Sequence, residues 1–260
     1  MEFQLEKKTA LVLGGSSGIG LAIAQALAAR GAAITLVSSN QEKLNAATRT
    51  FDNAQNIETA LCDLSSSSAV SEFCDSLLLS ERGVDILVNN SGGPKAGSIF
   101  DVSQNDWSDA LQANFFAFVQ LTKTCLPFMQ KKHWGRIINI SSTTAIEPTQ
   151  QMIISSSVRA AVSAFSKSIS DTVARDGISI NTICPGGVET DRLTSLVSAQ
   201  AKKLGKDYEE VLIENSKIIP AGRYARPEEL ASLAEYLCCE EAGYLTGRVL
   251  SFDGGLLRSF

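Results

Sequence analysis

Leu13-Gly14-Gly15-Ser16-Ser17-Gly18-Ile19-Gly20 stands between the apolar run Thr9 to Leu13 and the amphipathic stretch Leu21 to Arg30. Glycines at such a junction let the chain turn tightly, approach a pyrophosphate closely, and aim free N–H groups and the helix dipole at it. Alone, a glycine-rich turn is a weak signal, and one that serves packing only is the alternative. Its place between a clean strand and a clean helix makes a dinucleotide site the expectation, with Gly14, Ser16, Ser17, Gly18, Ile19 and Gly20 as contacts.

The rest of the chain repeats that β-α alternation. Apolar runs predict strands at Thr9 to Leu13, Ala33 to Val37, Ile57 to Cys62, Ile86 to Asn89, Ile137 to Ser141, Ile180 to Ile183 and Val249 to Phe252. Helical patterns start at Gly18, Gln41, Ser67, Gln104, Ser156 and Pro227. Arg226-Pro227-Glu228-Glu229 is a good helix start, with proline in the first turn and carboxylates at the positive end of the dipole. Near-continuous apolar strands between helices imply a sheet buried on both faces, so the expectation is a single α/β domain over 1–260 with a Rossmann-type doubly wound parallel sheet of about seven strands. Leu64-Ser65-Ser66-Ser67-Ser68 reads as a turn plus helix cap. Thr190 to Gly222 breaks the rhythm, and after a strand's carboxyl end it is placed to be a helical lid over a ligand crevice; a helix pair covering the sheet edge fits the periodicity equally.

Bulk properties exclude several classes. With 44% hydrophobic and 20% charged residues among 260, neither disorder nor a fibrous repeat is indicated, and a net charge of -5 gives no reason to expect nucleic acid. The six cysteines lack C-x-x-C spacing and read as buried small hydrophobes, no metal site is expected, and the single histidine, His133, reads as a surface turn residue. Met1 to Glu6 lacks the basic and apolar regions of a signal peptide, and no run of about 18 apolar residues could span a bilayer. A cytoplasmic protein without membrane contact is expected, acting on a small molecule.

At the end of the second predicted strand, where a carboxylate would grip the adenosine ribose, the chain has Val37-Ser38-Ser39-Asn40. Nothing there repels a 2'-phosphate, and no arginine welcomes one. This favours NADP, with NAD as the alternative.

Further segments give a resemblance. The spacing of Gly14, Gly18 and Gly20, Asp63-Leu64, Asn89-Asn90-Ser91-Gly92, Asn114, Ile140-Ser141-Ser142, the stretch from Asn181 through Pro185-Gly186 to Thr190, Arg226 to Glu229, Thr246-Gly247 and Asp253-Gly254-Gly255 together resemble the classical short-chain dehydrogenase/reductase family. Within it the likeness is to β-ketoacyl carrier-protein reductases. The resemblance implies cofactor contacts at Ser38, Ser39, Asn40, Asp63, Leu64, Asn90, Gly92, Arg159, Pro185, Gly186, Val188 and Thr190, and catalytic roles for Ser142 and Asn114. It also implies a homodimer or homotetramer built on the helices from Gln104 to Gln130 and Ser156 to Arg175. Leu13 stands where a threonine is common, which removes a hydrogen bond from the turn.

The departure lies at the acid-base pair. The family places a tyrosine thirteen residues after the catalytic serine and a lysine four residues later; here those positions hold Ser155 and Arg159. Lys167 is no replacement, being well over 100° round the helix and about 18 Å along it from Ser155. Serine is a weak acid and arginine stays charged, so proton relay by the family's route is lost while donors for a ribose or an anion remain. Three readings follow: a reductase with a non-standard site, Ser142, Asn114, Ser155 and Arg159; a sensor or assembly subunit that binds NAD(P) or a metabolite without turnover; and a non-redox enzyme similar to the halohydrin dehalogenases. The last fits worst, because those relatives keep the tyrosine and lack the glycine-rich turn. Glu147 and Lys95 are further acid-base candidates, each with a solvated-loop alternative, and Ser155 to Ser157 read as a helix cap.

Overall fold

The structure, a computed structural model, describes residues 4–80 and 83–259. Met1 to Phe3 of the amino-terminal stretch and the end of the expected 1–260 domain lie outside the described residues. Seven strands, β1 (Thr9–Leu13), β2 (Ala33–Ser38), β3 (Ile57–Leu61), β4 (Ile86–Asn89), β5 (Gly135–Ile140), β6 (Ile178–Pro185) and β7 (Arg248–Phe252), form one parallel sheet in the order β3-β2-β1-β4-β5-β6-β7. The doubly wound single-domain α/β fold is therefore present. The chain runs outward from β1 to β3, then returns to lay β4 against the other side of β1. That reversal opens a crevice at the carboxyl ends of the strands.

Why the strands lack polar alternation is visible in where neighbours point. Ala10 and Val12 of β1 and Ile86 and Val88 of β4 pack against Ile23 and Leu27 of α1 (Gly18–Ala29), Leu44 of α2 (Gln41–Thr48) and Leu230 and Leu237 of α9 (Pro227–Cys238). Leu11, Leu13 and Leu87 point the other way, into Val70 of α3 (Ser67–Leu79), Phe118 and Leu121 of α5 (Ala117–Lys132) and Val162 of α6 (Ile153–Val173). The residues of the inner strands β4, β5 and β6 are thus buried by one layer or the other, and β1 nearly so, while the edge strands β3 and β7 keep exposed positions. Ser66 Oγ caps α3 by accepting from Ala69 N, and Glu229 closes the start of α9 by accepting from Arg226 N at 2.8 Å. All six cysteines are free and buried, and burial raises the thiols, Cys62 to about 11 and Cys238 to about 12. His133 is exposed at the left-handed end of α5.

Some boundaries differ from expectation. α6 begins at Ile153, not Ser156, so Ser155 to Ser157 lie inside the helix and do not cap it; its N-cap is Met152, without a side-chain bond. The start is set by a distant partner: Gly97 bridges to Met152, and Gly97 N donates to Gln151 O at 2.8 Å. The stretch from Gln104 is two α-helices, α4 (Gln104–Leu111) and α5, joined by a π-turn at Gln112–Phe116. β5 starts at Gly135 and ends at Ile140, and β3 ends at Leu61. Between β6 and α9, α7 (Asp191–Leu204) and α8 (Tyr208–Ile218) pack together through Val197, Ala201 and Val211, while Leu193 and Leu196 face the crevice. Among the described residues no helix is long and apolar enough to cross a membrane, and no group of His, Cys, Asp or Glu is arranged to hold a metal ion.

Candidate active site

The crevice has a volume of about 850 Å³, and one end of its wall is the turn after β1. Gly14 sits at φ 58°, in the left-handed region, where its carbonyl and that of Leu13 accept from Asn90 Nδ2 at 3.4 and 3.3 Å. A Cβ on Gly14 would meet that same Asn90 nitrogen at 2.7 Å. Ser17, the N-cap of α1, makes no side-chain capping bond, and the first turn has no acidic residue, so the helix presents its free N–H groups to the crevice. Gly14, Ser16, Ser17, Gly18 and Ile19 all line it. Gly20 does not: a Cβ there would stand 2.2 Å from the Gly14 carbonyl oxygen, so its task is to let α1 pack against the turn. The expected contact at Gly20 is corrected accordingly.

Farther along the same wall lie Ser38, Ser39 and Asn40, with Asp63 and Leu64 following β3. Ser16 Oγ donates to Ser38 Oγ at 2.9 Å, and Asn40 Oδ1 accepts from Lys43 N at 2.8 Å, which caps α2. Lys43 lines the wall as well, a residue the sequence reading passed over although it lies in the first turn of the helix that Asn40 starts. Asn90 and Gly92 after β4, and Pro185, Gly186, Val188 and Thr190 after β6, complete this side. Asn181 belongs elsewhere; it ties the sheet edge by donating to Leu245 O and accepting from Arg248 N. An open helix N-terminus, a glycine cradle that a Cβ would fill, and no carboxylate from 37 to 40 fit a dinucleotide, including one with a 2'-phosphate.

Ser142, Ser155, Asn114 and Arg159 meet at the other end. Asn114 is held in the π-turn, buried, with Oδ1 accepting from Ser91 Oγ at 2.8 Å, which leaves its amide donors. Ser142 lies two residues beyond the end of β5 and caps a short 3-10 turn at Thr143–Ala145. Its Oγ accepts from Thr144 Oγ1 at 3.1 Å, and Thr144 Oγ1 in turn lies 3.2 Å from Ser155 Oγ. Thr144 was not among the expected site residues; its place two residues after Ser142, in a serine-capped turn, is the signal that marks it.

Arg159 is 5% exposed and comes from the α6 turn after Ser155. Nη1 donates to the Ile140 carbonyl, among the described residues the side chain's one hydrogen bond, and burial pulls its pKa down to about 10, still charged at neutral pH. Arg192 of α7 also reaches the crevice, where its Nη2 donates to Pro94 O at 2.5 Å. It too was missed, two residues beyond Thr190. Lys95 lies on the wall but is paired with Asp106 at 2.9 Å. Glu147 is not on the wall. Its Oε1 accepts from Arg258 N, Ser259 N and Ser259 Oγ, so it fixes the carboxyl-terminal segment and offers no acid-base group to the crevice. Lys167 points away, beside Asp171.

Comparison with known proteins agrees with this architecture. Residues 8–201 match the family described as short chain dehydrogenase. The 3-oxoacyl-(acyl-carrier-protein) reductase of Aquifex aeolicus is 31% identical over 98% of this chain and 100% of its own, and the D-beta-hydroxybutyrate dehydrogenase of Cupriavidus necator is 34% identical over 96% and 98%. Among solved structures, L-sorbose reductase from Gluconobacter frateurii, complexed with NADPH and L-sorbose, superposes with a TM-score of 0.93 at 32% identity, covering 100% of both chains. With the family match, the full-length relatives and a seven-stranded doubly wound sheet in agreement, the chain belongs to the short-chain dehydrogenase family of oxidoreductases.

Proposed function

We propose that the protein is an NADP(H)-dependent oxidoreductase that interconverts a carbonyl and a hydroxyl group through a non-standard site of Ser142, Asn114, Ser155, Thr144 and Arg159, in which Ser155 and Arg159 take the places of the usual tyrosine and lysine. The observation that carries this reading is the hydroxyl chain that joins Ser142 to Ser155 through Thr144, the two serines lining with Arg159 the same crevice as the glycine-rich turn. Relatives named as reductases, two of them in structures with NADPH, support it.

The glycine turn and the α1 N-terminus would hold the pyrophosphate, Asp63 and Leu64 the adenine side, and Asn90, Gly92 and Pro185 to Thr190 the nicotinamide side. Ser38, Ser39, Asn40 and Lys43 offer hydroxyl, amide and ammonium donors to a 2'-phosphate, which favours NADP over NAD. When bound, the reduced nicotinamide supplies the hydride. The chain's own residues must then hold the substrate oxygen and deal with its proton. Ser142 donates to that oxygen, Ser155 donates to Thr144, which donates to Ser142, and the Arg159 charge stabilises the substrate oxygen as it becomes negative. Serine is too weak an acid to yield a proton freely, so the alkoxide would be protonated along the hydroxyl chain from solvent water, with Thr144 as the link. The α7–α8 pair serves as the lid that excludes bulk water.

Calorimetric titration with NADPH and NADH, followed by a carbonyl panel monitored by loss of reduced-nicotinamide absorbance, tests the reading. Tighter binding of NADPH and carbonyl-dependent oxidation are expected. Failure of either nucleotide to bind would overturn it, and binding without turnover across the panel would leave a sensor.

A further inference from the structure

Among the described residues two arginines are buried, Arg136 and Arg159, and their surroundings differ in one respect. Arg136 is 3% exposed, and its guanidinium donates to the carbonyls of Gly135, Gly177 and Cys239 and stacks on Trp134 at 4.5 Å. Arg159 is buried to the same degree and donates to one carbonyl. Its other N–H groups are not sealed in the core without partners; they face the crevice. Arg192 is half-buried, gives one bond to Pro94 O, and faces the same space from the other lip. Among the described residues no carboxylate is paired with either guanidinium; burial lowers the pKa of both, and for Arg159 the Arg192 charge adds to that.

Two uncompensated guanidinium groups turned into one crevice are costly unless something negative arrives. The cofactor's phosphates are assigned to the glycine turn, the α1 N-terminus and Ser38 to Lys43, and the nicotinamide ribose, which the resemblance places at Arg159, offers neutral hydroxyl acceptors and no charge. Of the carboxylates on the crevice wall, Asp63, Asp106, Asp109 and Asp191, Asp106 is taken by Lys95, and among the described residues none is paired with Arg159 or Arg192. We infer that the substrate is a carbonyl compound bearing a carboxylate, which Arg192 and Arg159 hold beside Ser142 and Ser155. This rests on the reductase reading of the same site for its chemistry and on the arginines alone for its charge. In the reaction a hydride adds to the carbonyl carbon, the carbon–oxygen π pair becomes the alkoxide, and the alkoxide takes one proton from water through the hydroxyl chain; the carboxylate is unchanged. A planar carboxylate matches the fork of guanidinium donors, which a neutral ester cannot do.

The test compares pyruvate, acetoacetate and levulinate with their methyl esters, using NADPH and the whole chain, and adds malonate as an anion that cannot be reduced. At least one oxo acid is expected to exceed its ester by about tenfold or more in kcat/KM, and Arg192→Met to collapse that preference mainly by raising KM for the acid, roughly 10- to 100-fold. Malonate should raise the melting temperature of the NADPH complex and quench its nucleotide fluorescence in the wild type but not in Arg192→Met. Esters reduced as well as or better than acids would overturn the anion site and leave the reductase standing. No turnover with any compound, but Arg192-dependent malonate binding, would uphold the anion site and overturn the reductase. No turnover and no malonate effect would overturn both. Arg192 is chosen because it lies on a surface helix, so its truncation leaves the core packing around Arg159 in place.

Discussion

The Oγ of Ser155 lies 3.2 Å from Thr144 Oγ1, and it reaches Ser142 through that hydroxyl. If protons travel along this chain, Thr144→Val should lower kcat by roughly 10- to 100-fold, part of the usual 10²–10⁴-fold share of an acid-base group. The change is close to isosteric, so NADPH affinity should move little and stability by about 1 kcal/mol. The solvent deuterium isotope effect on kcat should also change. A wild-type kcat and isotope effect in Thr144→Val would show that the proton takes another path.

Restoring the family pair is the second prediction. Ser155→Tyr combined with Arg159→Lys places a phenol and an ammonium one helical turn apart on α6, both at the crevice wall. Steady-state reduction of neutral ketones should rise by about tenfold or more, because a better acid then faces the substrate oxygen. An unchanged or lower rate would mean that the surroundings of Ser155 have been rebuilt for other chemistry.

How far the sequence showed all this depends on the range of the contact involved. An inner strand such as β1 was readable because Leu11 and Val12 are both apolar, which a strand buried on one face would not need. The crevice residues came from the glycine-rich turn, the strand ends and the family resemblance, and of these Gly20 and the acid-base candidate Glu147 do not line it. What local pattern could not supply was contact between distant segments. The start of α6 is fixed by Gly97 against Met152, so three serines that look like a cap lie inside the helix. Glu147 reads as a loop carboxylate until Arg258 and Ser259, over a hundred residues later, fold onto it. Arg192 became part of the site through the seating of α7 across the loop that holds Pro94. Its residue type was visible in the sequence, but not its neighbours.

Cofactor preference should be decided at Ser38. Its Oγ accepts from Ser16 Oγ on the crevice wall, and Lys43 stands one helical turn from Asn40. Ser38→Asp puts a carboxylate where the 2'-phosphate would lie, and calorimetry should show NADPH binding weakened by about tenfold or more while NADH binding holds or improves. Lys43→Ala removes an exposed charge and should cost NADPH no more than roughly two- to fivefold. If Ser38→Asp leaves the ratio of the two dissociation constants unchanged, the adenosine end binds elsewhere.

The carboxyl-terminal segment should respond to acid through Glu147. Its carboxyl is held below its ordinary value first by the hydrogen bond from Ser259 N, then by those from Ser259 Oγ and Arg258 N. A carboxylate with a depressed folded pKa contributes its anchoring above the unfolded value, and that contribution is lost as pH falls through the lower folded value. The tail contact should therefore be fully present above the ordinary carboxyl value of 4.5 and be lost progressively as pH falls below it through the lower folded value. Hydrogen-exchange protection of the Arg258 and Ser259 amides, corrected for the intrinsic rate, should drop over that acid range in the wild type. In Glu147→Ala it should be low and flat at every pH, with the global melting temperature little changed because the group is at the surface. Protection in Glu147→Ala equal to that of the wild type at neutral pH would show that the tail is held by packing, with Leu256 and Leu257 as the half-buried residues to truncate next.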